Sequence, residues 1–189
     1  MGTDAVVFQL ETVASLVGVA QAAPETRTQV AEQIAAGLTG LIEAAPARTR
    51  WGMHLCMGDF NHKAYTTIGD VSPWVLLANA IARQWPQGRI FEYLHAPFAA
   101  AELPPPDDEA FYAPVADLAL PEGTRFVAGF IHENLDLERH RTLLRRIESL
   151  YGHEVDLSSS CGLGRRKDPQ EAWDAMAQAR ALIEDGTGD

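Results

Sequence analysis

The sequence predicts an α/β fold built around a parallel β-sheet. Short runs rich in β-branched and aromatic residues alternate with longer stretches of helical periodicity. The 189 residues are 47% apolar and 22% charged, a composition typical of a globular domain with its own core. Strands separated by helices imply parallel pairing through right-handed crossovers. We therefore predict one domain over residues 1–189.

Five strands and five helical stretches follow one another along the chain. The strands are predicted at 6–10, 52–56, 89–94, 126–131 and 155–158. The helical stretches are predicted at 24–45, 72–81, 109–118, 136–150 and 168–182. Prolines near three of the helix starts favour initiation there. Asp136 is a typical N-cap, and Gly152 is a typical C-terminal stop.

Charge and cysteine content limit the partners and the compartment. The net charge of −11 argues against a nucleic-acid partner, which requires a basic face. No apolar run reaches the roughly 18 residues of a membrane span, and the start resembles no signal peptide. Two cysteines without a secretory signal fit a reducing cytoplasm, where we place the protein. A Cys56–Cys161 disulfide remains the alternative.

Polar residues gather where the predicted strands end. In parallel α/β folds the active site lies at the carboxyl ends of the strands. The strand ends carry Glu11, His54, Cys56, Asp59, Glu92, His95, His132, Glu133 and Cys161. His54 and Cys56 are two positions apart, so a strand points both side chains to one face. An imidazole and a thiolate side by side are ligands suited to zinc.

Cys161 and Glu92 are the candidates that would complete a four-ligand zinc site with His54 and Cys56. Glu92 lies within an apolar strand, where a carboxylate is costly unless it is paired or bound to a metal. Pairing with Arg89 or a helix lysine is the alternative for Glu92. The other histidines (His62, His95, His140 and His153) are expected at the surface. A thiol that binds such a metal loses its proton and becomes a nucleophile.

Four further residues have both a functional and a simpler interpretation. Glu11 and Asp59 are predicted to bind substrate, although each is also able to cap the turn that follows it. His132 and Glu133 are predicted to be catalytic, although a solvent-exposed loop start is the alternative.

The segments His54-Leu55-Cys56, the Glu92 strand and 160–165 resemble the C-terminal catalytic barrel of cobalamin-independent methionine synthase. The resemblance covers about residues 5–183. It implies a (β/α)8 barrel in which zinc activates a homocysteine-like thiol for methyl transfer, a step of methionine biosynthesis. By position, His54, Cys56, Glu92 and Cys161 match the zinc ligands. Glu11 matches the acid that contacts the amino group of the substrate.

Five predicted strands are fewer than the eight of that barrel. The missing units are the first three, so the chain is expected to be an incomplete barrel of about five β/α units. An open sheet leaves an exposed edge and an unfilled interior. We therefore expect a homo-oligomer or a partner chain that completes the barrel. A non-catalytic subunit or fragment that binds zinc is the alternative function.

Overall fold

The computed structural model describes residues 6–186 and contains a five-stranded sheet. The strands are β1 (Val7–Glu11), β2 (Arg50–His54), β3 (Ile90–Pro97), β4 (Arg125–Ile131) and β5 (Asp156–Ser159). All four strand pairings are parallel. The predicted α/β class with a parallel sheet is confirmed. The sheet is open at β1 and β5 within the described residues.

Six α-helices connect and follow the strands. They are α1 (Val13–Gln21), α2 (Arg27–Ala44), α3 (Ser72–Arg83), α4 (Glu109–Tyr112), α5 (Leu137–Tyr151) and α6 (Pro169–Gly186). Single 3₁₀ turns occupy Ala113–Asp117 and Leu163–Arg165. None of these helices is long and apolar enough to cross a membrane, within the part of the chain that the structure describes.

Helix α1 was missed by the sequence interpretation because only one residue separates it from β1. That residue, Thr12, donates both its backbone N–H and its hydroxyl to the carbonyl oxygen of His54, at 3.1 and 2.7 Å. This pair of bonds ties the turn to the end of β2. The helix therefore starts immediately, without the proline or acidic signal that marks the starts of α3 to α6.

The predicted ends of α5 are confirmed. Asp136 accepts a hydrogen bond from the Arg139 backbone N–H at 2.8 Å, which satisfies one of the free donors of the first turn. Gly152 ends the helix in the left-handed conformation with φ 81°, which glycine adopts without strain.

The strands follow one another across the sheet in chain order, without a reversal. Right-handed crossovers then place every connecting helix on the same face. In register across the sheet, Leu10, Met53, Leu94 and Phe126 form one row. The last three are buried, and the Phe126 ring lies 5.8 Å from Trp74 of α3. The hydrophobic core therefore lies between this face and the helices.

The opposite face of the sheet is polar. Gln9, Gly52 and Tyr93 form one register row, and the Tyr93 hydroxyl donates to Gln9 Oε1 at 2.6 Å. A Cβ at Gly52 would lie 2.1 Å from Tyr93 Cζ, so the tyrosine ring crosses the strand where a side chain is missing. The next row contains Glu11, His54 and His95. This face carries the candidate functional residues.

Candidate metal centre

The two cysteines and His54 meet at the carboxyl edge of the sheet. His54 ends β2 and Cys56 follows it, whereas Cys161 comes shortly after β5. The Cys56 and Cys161 Sγ atoms are 3.6 Å apart, although the residues are 105 positions apart in the chain. One ligand atom of each of the three residues lies within 4.8 Å of the other two. We call His54, Cys56 and Cys161 the thiolate cluster.

The structure confirms the predicted convergence of these three side chains. Both cysteines are free, so the alternative disulfide is not formed. The shared direction of His54 and Cys56 follows from their spacing of two residues. The approach of Cys161 depends on the tertiary fold.

The two sulfur atoms hold different amounts of charge. The Cys161 pKa lies well below its ordinary value because Cys56 and His54 hydrogen-bond to its sulfur. The Cys56 pKa is raised, since its hydrogen bond to Cys161 and its burial both favour the protonated thiol. The Gly58 backbone N–H also donates to Cys56 Sγ at 3.4 Å. The pair therefore carries a thiolate on Cys161 and a thiol on Cys56.

The His54 ring is buried with one nitrogen lacking a hydrogen bond. Its Nδ1 has no partner among the described residues, and its Nε2 lies 3.8 Å from Glu11 Oε2. Neutral imidazole nitrogens and thiolates are the ligands that zinc prefers. The donor set of one imidazole and two cysteine sulfurs therefore fits a zinc ion.

His95 links the thiolate cluster to the segment that carries Cys161. Its ring centroid is 4.4 Å from that of His54, and its Nε2 lies 2.9 Å from the Ser159 carbonyl oxygen. Burial first, and then His54, lowers the His95 pKa to about 3, so the ring is neutral and Nε2 donates. A Cβ at Gly129 would lie 2.8 Å from His95 Nε2. Glycine on β4 thus lets His95 reach from β3 to β5.

A cleft of about 840 Å³ borders the thiolate cluster. Cys56 and Cys161 line it together with Glu11 and Arg165, and α1 contributes an apolar wall through Val17 and its neighbours. The Glu11 side chain is 58% exposed. The cleft therefore brings both sulfurs, a carboxylate and a guanidinium to one volume.

The structure does not bring Glu92 to the thiolate cluster. Strand β3 runs to Pro97 and not to the predicted Leu94, so Glu92 is the third of its eight residues. The carboxylate accepts a hydrogen bond from Arg50 Nε at 2.5 Å, and Arg50 is the first residue of β2. Paired there, Glu92 is held near the strand starts, away from His54 at the end of β2. The prediction that Glu92 is the fourth ligand is therefore wrong. Glu92 forms an ion pair instead, and its partner is Arg50 and not Arg89 or a lysine.

His132 lies at the end of β4, but both of its ring nitrogens are engaged by the backbone. Nε2 lies 3.0 Å from the Ala101 carbonyl oxygen, and Nδ1 accepts from the Asn134 N–H at 3.2 Å. Burial lowers the His132 pKa, so the ring is neutral. The residue is buried, which excludes the simpler interpretation of an exposed loop start. Its geometry is that of a residue that fixes the loop.

Glu133 belongs to a second polar group at the same edge. Its Oε2 accepts from Arg166 Nε and Nη2 at 2.9 and 2.6 Å. Both side chains are 5% exposed. Burial opposes ionisation of Glu133, but the bonds from Arg166 outweigh it and lower its pKa. Neither His132 nor Glu133 is among the described residues that line the cleft beside the thiolate cluster.

Asp59 faces this second group. Its Oδ1 accepts from the His62 N–H at 2.8 Å, and its Oδ2 lies 3.9 Å from His62 Nδ1. The Asp59 side chain is 3% exposed, although the residue lines the cleft. A substrate contact by Asp59 stays a prediction, whereas its contact with His62 is present in the structure.

The sequence interpretation missed three buried histidines. His62, His95 and His140 were expected at the surface, but their exposed fractions are 8%, 9% and 0%. His153 is exposed, as expected. The Asp59–His62 spacing within a polar turn is a local signal for His62. His95 and His140 are placed by strand length and by helix packing, which local sequence does not specify.

Comparison of the sequence with models of known protein families and with curated proteins finds no match. The site is therefore interpreted from its own geometry.

Proposed function

We propose that the protein is a zinc-dependent methyltransferase that activates a homocysteine-like thiol at the thiolate cluster. The observation that carries this proposal is the meeting of one imidazole with two cysteine sulfurs that line a cleft. Three protein ligands with a remaining position for substrate are typical of catalytic zinc, and His with two Cys is one known set. A substrate thiol that coordinates bound zinc would lose its proton at neutral pH.

The chain's own residues would orient the acceptor. Glu11 projects a largely exposed carboxylate into the cleft beside both cysteines, where it is able to bind the ammonium group of an amino-acid thiol. Arg165 lines the same cleft and has the charge to bind a carboxylate.

We also propose that the sheet is part of an eight-stranded barrel. In a flat sheet β2 and β5 would be about 14 Å apart, at about 4.8 Å per strand spacing, yet the sulfurs that follow them are 3.6 Å apart. The His95 contact with Ser159 also spans β4. Both observations favour a sheet that is concave on the polar face, as a barrel wall is.

A zinc-binding subunit without activity is the second candidate function. The observation that favours it is the polar face, which the described helices do not cover. Parallel sheets are normally covered on both faces, and β1 and β5 are open edges. A second copy or another chain that covers this face and edge would supply the remaining part of the barrel. Light scattering with size-exclusion chromatography tests this, because a compact monomer at micromolar concentration would contradict barrel completion.

Zinc content and methyl transfer test the main proposal. We expect one zinc per chain in the purified protein, lost in Cys161→Ser and retained in the matched control Ser158→Ala. We then expect zinc-dependent formation of a thioether from homocysteine and a methyl donor. Zinc without thioether would support the inactive subunit. Zinc-free protein with an intact fold would overturn both.

A further inference from the structure

The group that contains Glu133 has three ligand-type side chains directed at one point. One atom each of His62, Glu133 and Glu171 lies within 4.8 Å of the other two. They come from three separate segments: the loop after β2, the end of β4 and the first turn of α6. We call these three residues the carboxylate cluster.

Hydrogen bonding within the protein does not satisfy the carboxylate cluster. His62 Nδ1, Glu133 Oε1 and Glu171 Oε2 are buried, and none of them has a hydrogen-bond partner among the described residues. His62 Nε2 lies 3.0 Å from Glu133 Oε1, but the contact lacks the direction of a hydrogen bond, because that oxygen has no donor. The side chains of His62 and Glu133 are 9% and 5% exposed, so bulk water does not compensate for the missing bonds.

Neighbouring residues hold the ligands as metal-binding residues are held. Arg166 occupies only Oε2 of Glu133, which leaves Oε1 facing His62. Asp59 Oδ2 lies on the Nδ1 side of His62, at 3.9 Å. Nδ1 therefore lies on the side of Asp59, and Nε2 is the nitrogen that lies beside Glu133 Oε1, where a metal would bind.

The formal charges also favour a divalent cation. Asp59, Glu133 and Glu171 carry three negative charges, and Arg166 supplies one positive charge. The remaining two negative charges are costly to bury without a counter-charge. A divalent ion would neutralise them and would supply a partner for Glu133 Oε1 and Glu171 Oε2.

We propose that His62, Glu133 and Glu171 bind a second divalent transition-metal ion, separate from the thiolate cluster. One imidazole and two carboxylates form a harder ligand set than two cysteines and an imidazole, and such a set suits manganese or iron. The ion would connect the loop after β2, the end of β4 and the start of α6. The proposal does not depend on the function of the thiolate cluster.

Manganese binding tests this site directly. Chelator-treated protein is titrated with Mn²⁺ alone while the free-ion electron paramagnetic resonance signal is followed. We expect one Mn²⁺ bound per chain. Because Glu171→Gln replaces one of the three proposed ligands, it should weaken Mn²⁺ binding by at least about tenfold. The matched control Glu43→Gln, an exposed glutamate on α2, should bind as the native chain does.

Two further variants separate this site from the thiolate cluster and from a folding defect. Cys161→Ser should bind Mn²⁺ unchanged, and His62→Ala should lose it while its circular dichroism spectrum is retained. The proposal would be overturned if the native chain did not reduce the free Mn²⁺ signal. It would also be overturned if Glu171→Gln bound Mn²⁺ as tightly as the native chain. Loss of Mn²⁺ binding in Cys161→Ser would overturn it as well. An imidazolium signal from His62 by ¹⁵N NMR, without metal binding, would identify a simple ion pair and also overturn it.

Discussion

The thiolate cluster and the carboxylate cluster lie at the same edge of the sheet, but they balance charge differently. Glu133 has a buried arginine at 2.6 Å, whereas the charge on Cys161 is stabilised by hydrogen bonds from Cys56, His54 and the Gly162 backbone. The thiolate cluster borders a cleft through both sulfurs, whereas Glu133 is enclosed. The difference distinguishes a cluster that opens into a cleft from one that is enclosed where three chain segments meet.

Removing Arg166 should have the largest effect, because it leaves the buried charge of Glu133 without compensation. We expect Arg166→Met to lower the free energy of unfolding by about 3–5 kcal/mol, measured by urea denaturation in chelator. The adjacent Arg165 is exposed, and Arg165→Met should change stability by about 0.5 kcal/mol or less. The double variant Glu133→Gln/Arg166→Met should recover part of the loss. Equal effects of the two single arginine variants would contradict the enclosed ion pair.

Metal removal should expose the reactivity of the thiolate cluster. The thiolate and not the thiol is the reactive form of cysteine. We therefore expect metal-free protein, prepared with a chelator, to react with a disulfide reagent at Cys161 before Cys56. Restoring zinc should slow this reaction at least about tenfold, since a bound metal occupies the sulfur.

The two single-cysteine variants serve as matched controls for that reaction. Cys161→Ser retains only Cys56, which is 3% exposed, and should react slowly. Cys56→Ser retains the more exposed Cys161 and should react faster than Cys161→Ser, but zinc should protect it less than the native protein because one ligand is lost. A rate that zinc leaves unchanged would mean that the sulfurs do not bind it.

The region behind the carboxylate cluster should make stability depend on pH. His140 is buried, and its Nε2 accepts from the His132 N–H at 3.1 Å. Burial lowers the His140 pKa, so the unfolded chain binds a proton more readily than the folded one. Its contribution to stability is therefore present above the ordinary histidine value of about 6.5 and is lost as the pH falls below it.

His140→Gln keeps an acceptor for the His132 N–H but does not titrate. We expect the midpoint of urea unfolding to fall less steeply between neutral and mildly acidic pH in this variant. The exposed His153 provides the control, and His153→Gln should follow the native pH profile. A native profile in His140→Gln would show that the pKa of His140 does not differ between the folded and unfolded protein.

The comparison of the two clusters also shows what the sequence is able to predict. Strand and helix alternation predicted the parallel sheet, and the two-residue spacing predicted that His54 and Cys56 share a direction. Helix α1 and the extension of β3 to Pro97 were missed, because Thr12 and the strand register act through tertiary contacts. The carboxylate cluster was also missed, since Glu171 joins it from a helix start more than 100 positions after His62. Local patterns indicate side-chain direction within one element but not which distant elements meet.

Substitution of Glu92 should have the smallest effect on stability, and it tests the sequence-based prediction that Glu92 is a zinc ligand. Its ion pair with Arg50 is partly exposed, with side-chain exposures of 19% and 34%. We therefore expect Glu92→Gln to lower the free energy of unfolding by about 1 kcal/mol or less, since solvent screens such pairs. Zinc content should stay at the native value, whereas His54→Gln should lose zinc. Loss of zinc in Glu92→Gln would place its carboxylate in the thiolate cluster after all. The Arg50 pair would then belong only to the metal-free protein.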